Sequence, residues 1–449
     1  MPSQRPTHAR FLVMTFLGVL AFLTYFDRVC ITRAQSEIKS SLHISDGQMG
    51  LIMGAFWLAY ALFELPAGAM GDRYGARGTL SRIVLAWSLF TALSGSATGF
   101  ASLFLYRFLF GAGEAGAFPN MARIQSRWLP LDSRPLASGM LWMLARWGGA
   151  FSYPLFGMMM RGFDSVGFRD TVARIPVFSG LAEVEAWRIS FWAAGLVGSV
   201  WVVFFFWWFR DHPSEKPAVN QAELDLITRD APPEVRGHSM PGTVWKQLLT
   251  NRSLLALGTL YLCSSFGWSF FVSWMPKYFE QVQHMPYRES EWMTAAPLFC
   301  GGITCLIGGV LCNMLVKRTG WRRLGRAIFP IVGYVTSATA MFFIPYVKTP
   351  QQAMLLLCLA EAAHDFGQAA NWASIVDIGG MYAGAAAGMI NTIGNFGNAF
   401  QPYIGNAIRE HYGWNTLFNV YGSAFLIAAS MWLIIDPRQK FYEHKQDGA

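Results

Sequence analysis

The sequence predicts an all-α integral membrane protein with twelve transmembrane helices in two pseudo-symmetric six-helix bundles. Only 14% of the 449 residues are charged and 53% are hydrophobic, whereas an ordinary soluble domain carries about 25% charged residues. Apolar stretches of roughly the twenty residues that span a bilayer recur along the whole chain. The twelve stretches lie at about 11–33, 48–70, 79–98, 101–123, 136–160, 189–209, 254–275, 292–316, 326–346, 352–376, 383–408 and 414–435.

The basic residues cluster between alternate spans, for example in Arg73 to Arg82 and in Arg123 to Arg134. This positive-inside pattern predicts a multi-pass protein of the cell (inner) membrane with both termini in the cytoplasm. The outside loop Arg161 to Arg188 is close to neutral, as the rule allows for long loops. The net charge of +8 is thereby explained by the lipid bilayer, and no nucleic-acid partner is expected.

Cysteine usage and the N-terminus add little chemistry. All six cysteines fall inside predicted spans, so we expect packing residues rather than disulfides. The apolar run after Arg5 to Arg10 continues into the first span without a small-residue cleavage site, which favours a retained helix over a signal peptide. An enzyme is disfavoured, because no nucleophile elbow, phosphate loop or metal motif stands out.

An internal repeat divides the chain. The proline-rich connection 211–251 separates an N-terminal bundle, residues 1–210, from a C-terminal bundle, residues 252–449. Ser138-Gly139-Met140 and Ala150-Phe151 in span 5 match Ala387-Gly388-Met389 and Ala399-Phe400 in span 11 at one constant offset. One large transporter class consists of two such repeated halves, with substrate sites near the midplane.

The loop between spans 2 and 3 carries the most specific motif, Gly68-x-x-x-Asp72-Arg73-x-Gly75-x-Arg77. It resembles the loop signature of the major facilitator superfamily. The closest likeness within that superfamily is the anion:cation symporter branch, which includes galactonate, hexuronate and glucarate carriers, sialin and vesicular glutamate transporters. The likeness covers nearly the whole chain and includes the motifs Tyr25-x-Asp27-Arg28, Arg107-x6-Glu114, Trp274-x-Pro276-x-Tyr278 and Trp372-x4-Asp377. We expect Gly68, Asp72, Arg73, Gly75 and Arg77 to form a conformational latch at the cytoplasmic side.

Spans 1 and 4 each carry one arginine and one acid. Arg107 and Glu114 are seven residues apart and therefore lie on one helix face. Asp27 and Arg28 point about 100° apart, so they cannot both face one partner. One arrangement has Asp27 meeting Arg107 while Arg28 faces a central cavity. An ion pair that only fastens span 4 to a neighbour is the alternative, but two helices with the same pair of charges favour a functional site.

The family resemblance implies roles for these charges. It makes Arg28 the main partner of a substrate carboxylate and makes Asp27 and Glu114 proton carriers, with the proton as coupling ion and no other cofactor. The chemistry suits those roles, because an arginine keeps its charge and matches a carboxylate with its planar fork. A desolvated carboxylic acid can take up and release a proton.

Three other residues of the first half are candidates. Tyr60 and Arg146 are predicted to bind the substrate, although Arg146 departs from what we expect of sugar-acid carriers. It either adds an anion contact, selecting a more acidic substrate, or pairs with Glu64 or another cavity acid. Glu64, where the family more often has glutamine, is either a further protonatable site or a residue of the cavity rim.

In the second half, Glu361, His364 and Asp365 follow each other at i, i+3 and i+4. We predict no metal site there, since no second histidine is near. The repeat offset places this cluster at the depth of Glu114, so we expect it to line the cavity, with His364 and Asp365 in proton coupling. A hydrogen bond between helices is the alternative role of His364.

Amides and indoles complete the predicted substrate site. Asn391 and Asn395 share one helix face with Asn398, and amides can read sugar hydroxyls because they both donate and accept hydrogen bonds. The alternative is that these amides bind helices to each other. Trp268 and Trp372 are predicted cavity walls.

These patterns predict proton-coupled symport of a small organic anion by alternating access, in a protein that functions as a monomer. The expected substrate is a sugar acid such as a hexonate or hexuronate. An organic-phosphate exchanger is the first alternative, although span 7 has no basic residue before Lys277. A transporter-like receptor is the second alternative, but short tails and a modest central loop offer no output domain.

Overall fold

The computed structural model describes residues 5–130, 133–228, 242–379 and 383–439. Every regular element within those ranges is a helix, which confirms the all-α prediction. The first ten helices are α1 (Ala9–Arg33), α2 (Gln35–Leu42), α3 (Asp46–Tyr74), α4 (Ala76–Gly95), α5 (Phe100–Glu114), α6 (Ala117–Trp128), α7 (Arg134–Asp164), α8 (Val166–Ala173), α9 (Ala186–Trp208) and α10 (Gln221–Thr228). The others are α11 (Gly242–Thr250), α12 (Arg252–Ser273), α13 (Met275–Gln281), α14 (Tyr287–Thr319), α15 (Arg322–Phe343), α16 (Pro350–Phe366), α17 (Gln368–Gly379) and α18 (Ala383–Ser430).

The predicted spans all lie largely within these helices. Spans 4 and 10 are each divided between two helices, α5 with α6 and α16 with α17. Spans 11 and 12 both fall in α18, which is interrupted at Gly413 (φ 81°, ψ 172°). Among the described residues, six helices are individually long and apolar enough to cross a membrane.

The chain forms two compact units, and the boundary between them does not simply follow the central connection. The first unit comprises residues 1–232 and 271–299, and the second comprises residues 233–270 and 300–449. Segment 271–299, which the sequence assigns to the C-terminal bundle, thus packs with the first unit.

The break in span 4 is caused by a glycine in a left-handed conformation. Glu114 ends α5, Ala115 is extended (ψ 138°) and Gly116 has φ +85°. A Cβ atom on Gly116 would lie 2.6 Å from the Cβ of Ala67, so only glycine fits without strain. The break holds Glu114 at a helix end. In the second unit, α16 likewise ends just after Asp365.

A close helix contact recurs in both units. A Cβ atom on Gly148 of α7 would overlap the carbonyl oxygen of Phe22 in α1. A Cβ atom on Gly397 of α18 would overlap the carbonyl oxygen of Leu262 in α12. Gly148 and Gly397 are related by the same sequence offset as Ser138 and Ala387. The repeat therefore preserves a contact in which one helix backbone touches another.

The first part of the central connection belongs to the first unit because its acids cap two helices. Asp211 accepts hydrogen bonds from the backbone nitrogens of Ala76 (2.7 Å) and Arg77 (3.0 Å) at the start of α4. Glu223 of α10 is fully buried and accepts from the backbone nitrogens of Ala9 (3.4 Å) and Arg10 (3.2 Å). These carboxylates accept hydrogen bonds from backbone donors that α1 and α4 leave unpaired, and their negative charge is stabilised by the positive N-terminal ends of the two helices.

Candidate functional site

An aromatic cage surrounds the guanidinium group of Arg28, which is 7% exposed. Cations are attracted to the faces of aromatic rings within about 6 Å, and more strongly where water is excluded. The distances from the guanidinium carbon to the ring centres are 4.7 Å for Tyr25, 4.7 Å for Tyr60, 5.2 Å for Trp57, 5.3 Å for Phe56 and 5.9 Å for Phe118. The rings come from α1, α3 and α6, so three helices fix the position of one positive charge.

Glu114 is the ionic partner of Arg28. The Nε atom of Arg28 donates to Oε1 of Glu114 at 2.6 Å, and its Nη2 atom lies 2.5 Å from the same oxygen. Glu114 is fully buried. Its second oxygen, Oε2, has no hydrogen-bond partner among the residues that the structure describes. One oxygen of this carboxylate therefore holds the arginine while the other can accept a proton.

Arg107 and Asp27 complete a cluster of two arginines and two acids. Arg107 donates from Nη2 to the backbone oxygen of Arg28 at 3.4 Å, and its guanidinium lies 4.5 Å from the ring of Phe110. Asp27 is 2% exposed and interacts electrostatically with Glu114 and Arg107. The structure thus places Asp27 near Arg107, as in the arrangement drawn from the sequence. Arg28, however, is paired with Glu114 and does not face a cavity alone.

Arg146 lies beside the same cage. It is 6% exposed on α7, and its guanidinium carbon lies 5.8 Å from the ring centre of Tyr25. Glu64 is equally buried on α3 and interacts electrostatically with Tyr60. Arg146 and Glu64, the two residues that depart from the family pattern, therefore both lie inside the first unit, near the residues that surround Arg28.

The acidic cluster of the second unit is packed among four helices. The indole Nε1 of Trp268 in α12 donates to Oε1 of Glu361 at 2.8 Å, and Nδ1 of His364 lies 3.0 Å from Oδ1 of Asp365. The ring of Tyr334 from α15 lies 5.6 Å from that of His364. A Cβ atom on Gly301 of α14 would lie 2.8 Å from Asp365 Oδ2. Trp268, predicted as a cavity wall, is thus a hydrogen-bond donor to a buried carboxylate.

The remaining candidates of the second unit are more exposed or bonded within their own helix. Asn395 is buried and accepts a hydrogen bond from Asn398 at 3.3 Å. Asn391 is half-buried one turn earlier on α18. Trp372 on α17 is 38% exposed. Their part in substrate binding stays a prediction.

The predicted latch is described only in part. Gly75 has φ +83° and joins α3 directly to α4. Arg77 donates from Nε to the backbone oxygen of Phe206 at 3.0 Å, and its guanidinium lies 4.1 Å from the Phe206 ring. The surroundings of Gly68 and the side chains of Asp72 and Arg73 lie outside the described part of the structure. The loop is therefore held to the end of α9 and, through Asp211, to the central connection.

Sequence reasoning missed a cluster of ion pairs that ties segment 271–299 to the first unit. Glu291 in α14 accepts from Nε of Arg33 at 2.9 Å and from Nη1 of Arg161 at 2.7 Å. Lys277 of α13 pairs with Asp46 at the start of α3. The only signal in the sequence is that each of these charges lies near the end of a predicted span, which does not reveal its partner.

A further polar contact involves the outside loop before α9. Burial raises the pKa of Glu185, but hydrogen bonds from Ser41 and Arg188 outweigh it and hold that pKa below its usual range. The distances are 2.7 Å from the Ser41 hydroxyl and 2.9 Å from Nε of Arg188. The loop is thereby joined to α2.

Comparisons with known proteins agree with the all-helical fold. A family model described as Major Facilitator Superfamily matches residues 17–402. A "Probable sulfoacetate transporter" of Cupriavidus necator is 29% identical over 95% of this chain and 94% of its own length. A "Probable galactarate/D-glucarate transporter" of Bacillus subtilis is 27% identical over 99% and 96%. A solved bacterial homologue of the human lysosomal transporter Spinster superposes with a TM-score of 0.71, 21% identity, and coverage of 95% and 94%.

Proposed function

The chain belongs to the major facilitator superfamily, a family of multi-pass membrane transporters and not of enzymes, and we propose that it carries a small organic anion together with protons. The paired Arg28 and Glu114 in their aromatic cage are the observation on which this proposal rests. The two relatives from Cupriavidus necator and Bacillus subtilis are named as probable transporters of sulfoacetate and of galactarate/D-glucarate, which supports an anionic substrate.

The geometry suggests how a proton and an anion are coupled. In the proton-free protein, Arg28 is neutralised by the carboxylate of Glu114. A proton on Oε2 removes that negative charge, and a buried arginine without a counter-charge is costly. A substrate carboxylate then replaces Glu114 as the partner of Arg28. The Nε and Nη2 atoms, which both contact one oxygen of Glu114, can bind the two oxygens of that carboxylate. Loss of the proton restores the original pair and displaces the substrate.

Asp27 and Arg107 take part in the same coupling between protonation and substrate binding. Arg107 interacts electrostatically with both acids, so it responds to the protonation of either of them. Two acids in one buried cluster can bind up to two protons, and His364 with Asp365 is a proposed further proton site in the second unit. Tyr60 and Arg146 are proposed substrate contacts of the first unit. Asn391, Asn395, Trp268 and Trp372 are proposed contacts of the second.

Transport into proteoliposomes tests the coupling. With an inward proton gradient, we expect accumulation of a radiolabelled sugar acid by the wild-type protein and its loss in Glu114→Gln, because glutamine mimics the protonated acid permanently. The variant should still exchange substrate across the membrane when no gradient is applied. Glu289→Gln, an exposed acid at the start of α14, is the matched control. Full gradient-driven accumulation by Glu114→Gln would show that another residue carries the coupled proton.

Organic-phosphate exchange is a second candidate, favoured by three of the buried arginines, Arg28, Arg107 and Arg146. A phosphate dianion needs several such charges. The basic residue at the end of span 7, Lys277, is already paired with Asp46, which weighs against this candidate. Counterflow of inorganic phosphate in proteoliposomes distinguishes it from proton symport. We further propose an inner-membrane location, cytoplasmic termini and a monomeric transport unit.

A further inference from the structure

Two buried guanidinium groups share one aromatic ring. The guanidinium carbons of Arg28 and Arg146 lie 4.7 and 5.8 Å from the ring centre of Tyr25. Distances of that size from one common point limit the separation of the two carbons to about 10.5 Å. Both groups therefore lie close enough to bind opposite ends of one small molecule.

The position of Arg146 is fixed by the packing of α7 on α1. The backbone of Gly148 touches that of Phe22, so the two helices cannot slide or separate without losing their closest contact. A Cβ atom on Gly149 would lie 3.7 Å from the Tyr25 ring. Arg146 thus extends from a helix held directly against the ring that it shares with Arg28.

Aromatic side chains connect the two arginines into one lined region. Trp142, one turn before Arg146, stacks on Phe118 at 4.8 Å with an interplanar angle of 12°. Phe118 packs edge-on against Tyr25 at 6.2 Å and also lies 5.9 Å from Arg28. These rings exclude water and leave the charged groups as the strongest anchors for a ligand.

Charge balance favours a doubly charged ligand. Among the described residues of α1, α3, α5 and α7, three arginines are buried besides Arg33, which is paired with Glu291. They are Arg28, Arg107 and Arg146, whose charge is permanent. The same helices bury the acids Asp27, Glu64 and Glu114. When Asp27 and Glu114 take up protons in the proposed cycle, two positive charges are left in excess. A monoanion neutralises one of them, whereas a dianion neutralises both.

We propose that Arg28 and Arg146 bind the two ends of a short linear organic dianion, and that Arg146 selects it over the matching monoanion. The proposal rests on the proposed proton-coupled transport and names its substrate class, a dicarboxylate or a sulfocarboxylate. It replaces the monocarboxylate expected from the sequence. A bidentate acid group at each end takes up part of the distance between the guanidinium groups, which restricts the ligand to a short chain.

The test uses two acids of the same length that differ only at one end, malonate with two carboxylates and its monoamide malonamate with one. Binding to the purified protein is measured by ligand-dependent thermal shift, and transport by uptake into proteoliposomes. The wild-type protein should bind malonate roughly tenfold or more tightly than malonamate, as expected for one additional charge-assisted contact. Arg146→Gln should lose that preference and keep its malonamate affinity, and Arg146→Lys should retain part of the preference. Arg82→Gln, at an exposed arginine on α4, should change neither affinity.

The outcomes separate this inference from the proposed function. Equal wild-type affinities, a preference for malonamate, no binding of either acid, or an equal loss for both acids in Arg146→Gln would overturn the role of Arg146. If Arg146→Gln does not fold, the affinities of the wild-type protein for the two acids are sufficient to test the proposal. If malonate binds preferentially but no proton gradient drives its uptake, the selection by Arg146 stands and the proton coupling fails.

Discussion

Glu291 is the side chain whose loss should most weaken the attachment of segment 271–299 to the first unit. It is 4% exposed and bridges Arg33 and Arg161, which come from two other helices. Glu291→Gln keeps the size of the side chain and removes its charge. The substitution leaves the 2% exposed side chain of Arg33 with Glu37 as its remaining ionic partner.

The expected magnitude follows from the burial of the pair. Removing one partner of a buried ion pair typically costs 3–5 kcal/mol, because the other charge stays buried without compensation. Glu37 still lies 3.1 Å from Arg33, but its side chain is 34% exposed and therefore well solvated. We expect a loss of about 3 kcal/mol, at the lower end of that range. Glu289→Gln, two residues earlier and exposed, should cost less than about 0.5 kcal/mol.

Unfolding of the purified protein in detergent, followed by intrinsic tryptophan fluorescence, measures both variants under one condition. A double-mutant cycle with Arg33→Met identifies the cause, since replacing both members of a buried pair is often nearly neutral. The double variant should be less destabilised than the sum of the two single variants. Additive losses, or equal effects of Glu291→Gln and Glu289→Gln, would refute the reasoning.

Three further predictions concern helix contacts and caps. Gly148→Ala places a methyl group against a backbone oxygen, so it should lower the free energy of unfolding by about 2 kcal/mol. A methyl group at Gly162 on the same helix meets nothing within 4 Å, so Gly162→Ala should be neutral in the same unfolding assay. Asp211→Ala removes the cap of α4 and should cost about 1 kcal/mol, and an equal loss in the exposed Asp225→Ala would contradict this. Because the pKa of Glu185 is lowered in the folded protein, its contribution to stability is present at neutral pH and is lost as the pH falls from about 5 to about 3. Glu185→Gln should therefore show a smaller loss of stability over that pH window, measured by thermal unfolding at each pH.

Much of the architecture was predictable because lipid imposes strong rules on sequence. Long apolar spans, the basic residues between them and the repeat that relates Gly148 to Gly397 are all visible in one chain. The same rules identify buried charge as unusual, which drew attention to Asp27, Arg28, Arg107 and Glu114. The sequence also indicated that Arg107 and Glu114 share a helix face.

Pairing between helices was not predictable. Arg28 and Glu114 are brought together by the tertiary fold and by the chain break at the left-handed Gly116, and sequence spacing carries neither fact. Trp268 appeared as a cavity wall because an indole is apolar over most of its surface, and only the fold places its single donor beside Glu361. Glu291 and Arg33 each looked like ordinary charges at the end of a span.

The caps made by Asp211 and Glu223 determine where this polypeptide can be divided. A cut at the apparent end of the first bundle, after Arg210, would separate the starts of α1 and α4 from the carboxylates that satisfy them. A cut after Thr228 would leave both carboxylates with the helices they cap. Split versions that are coexpressed as two pieces, and reporters inserted into the chain, should therefore use the later position.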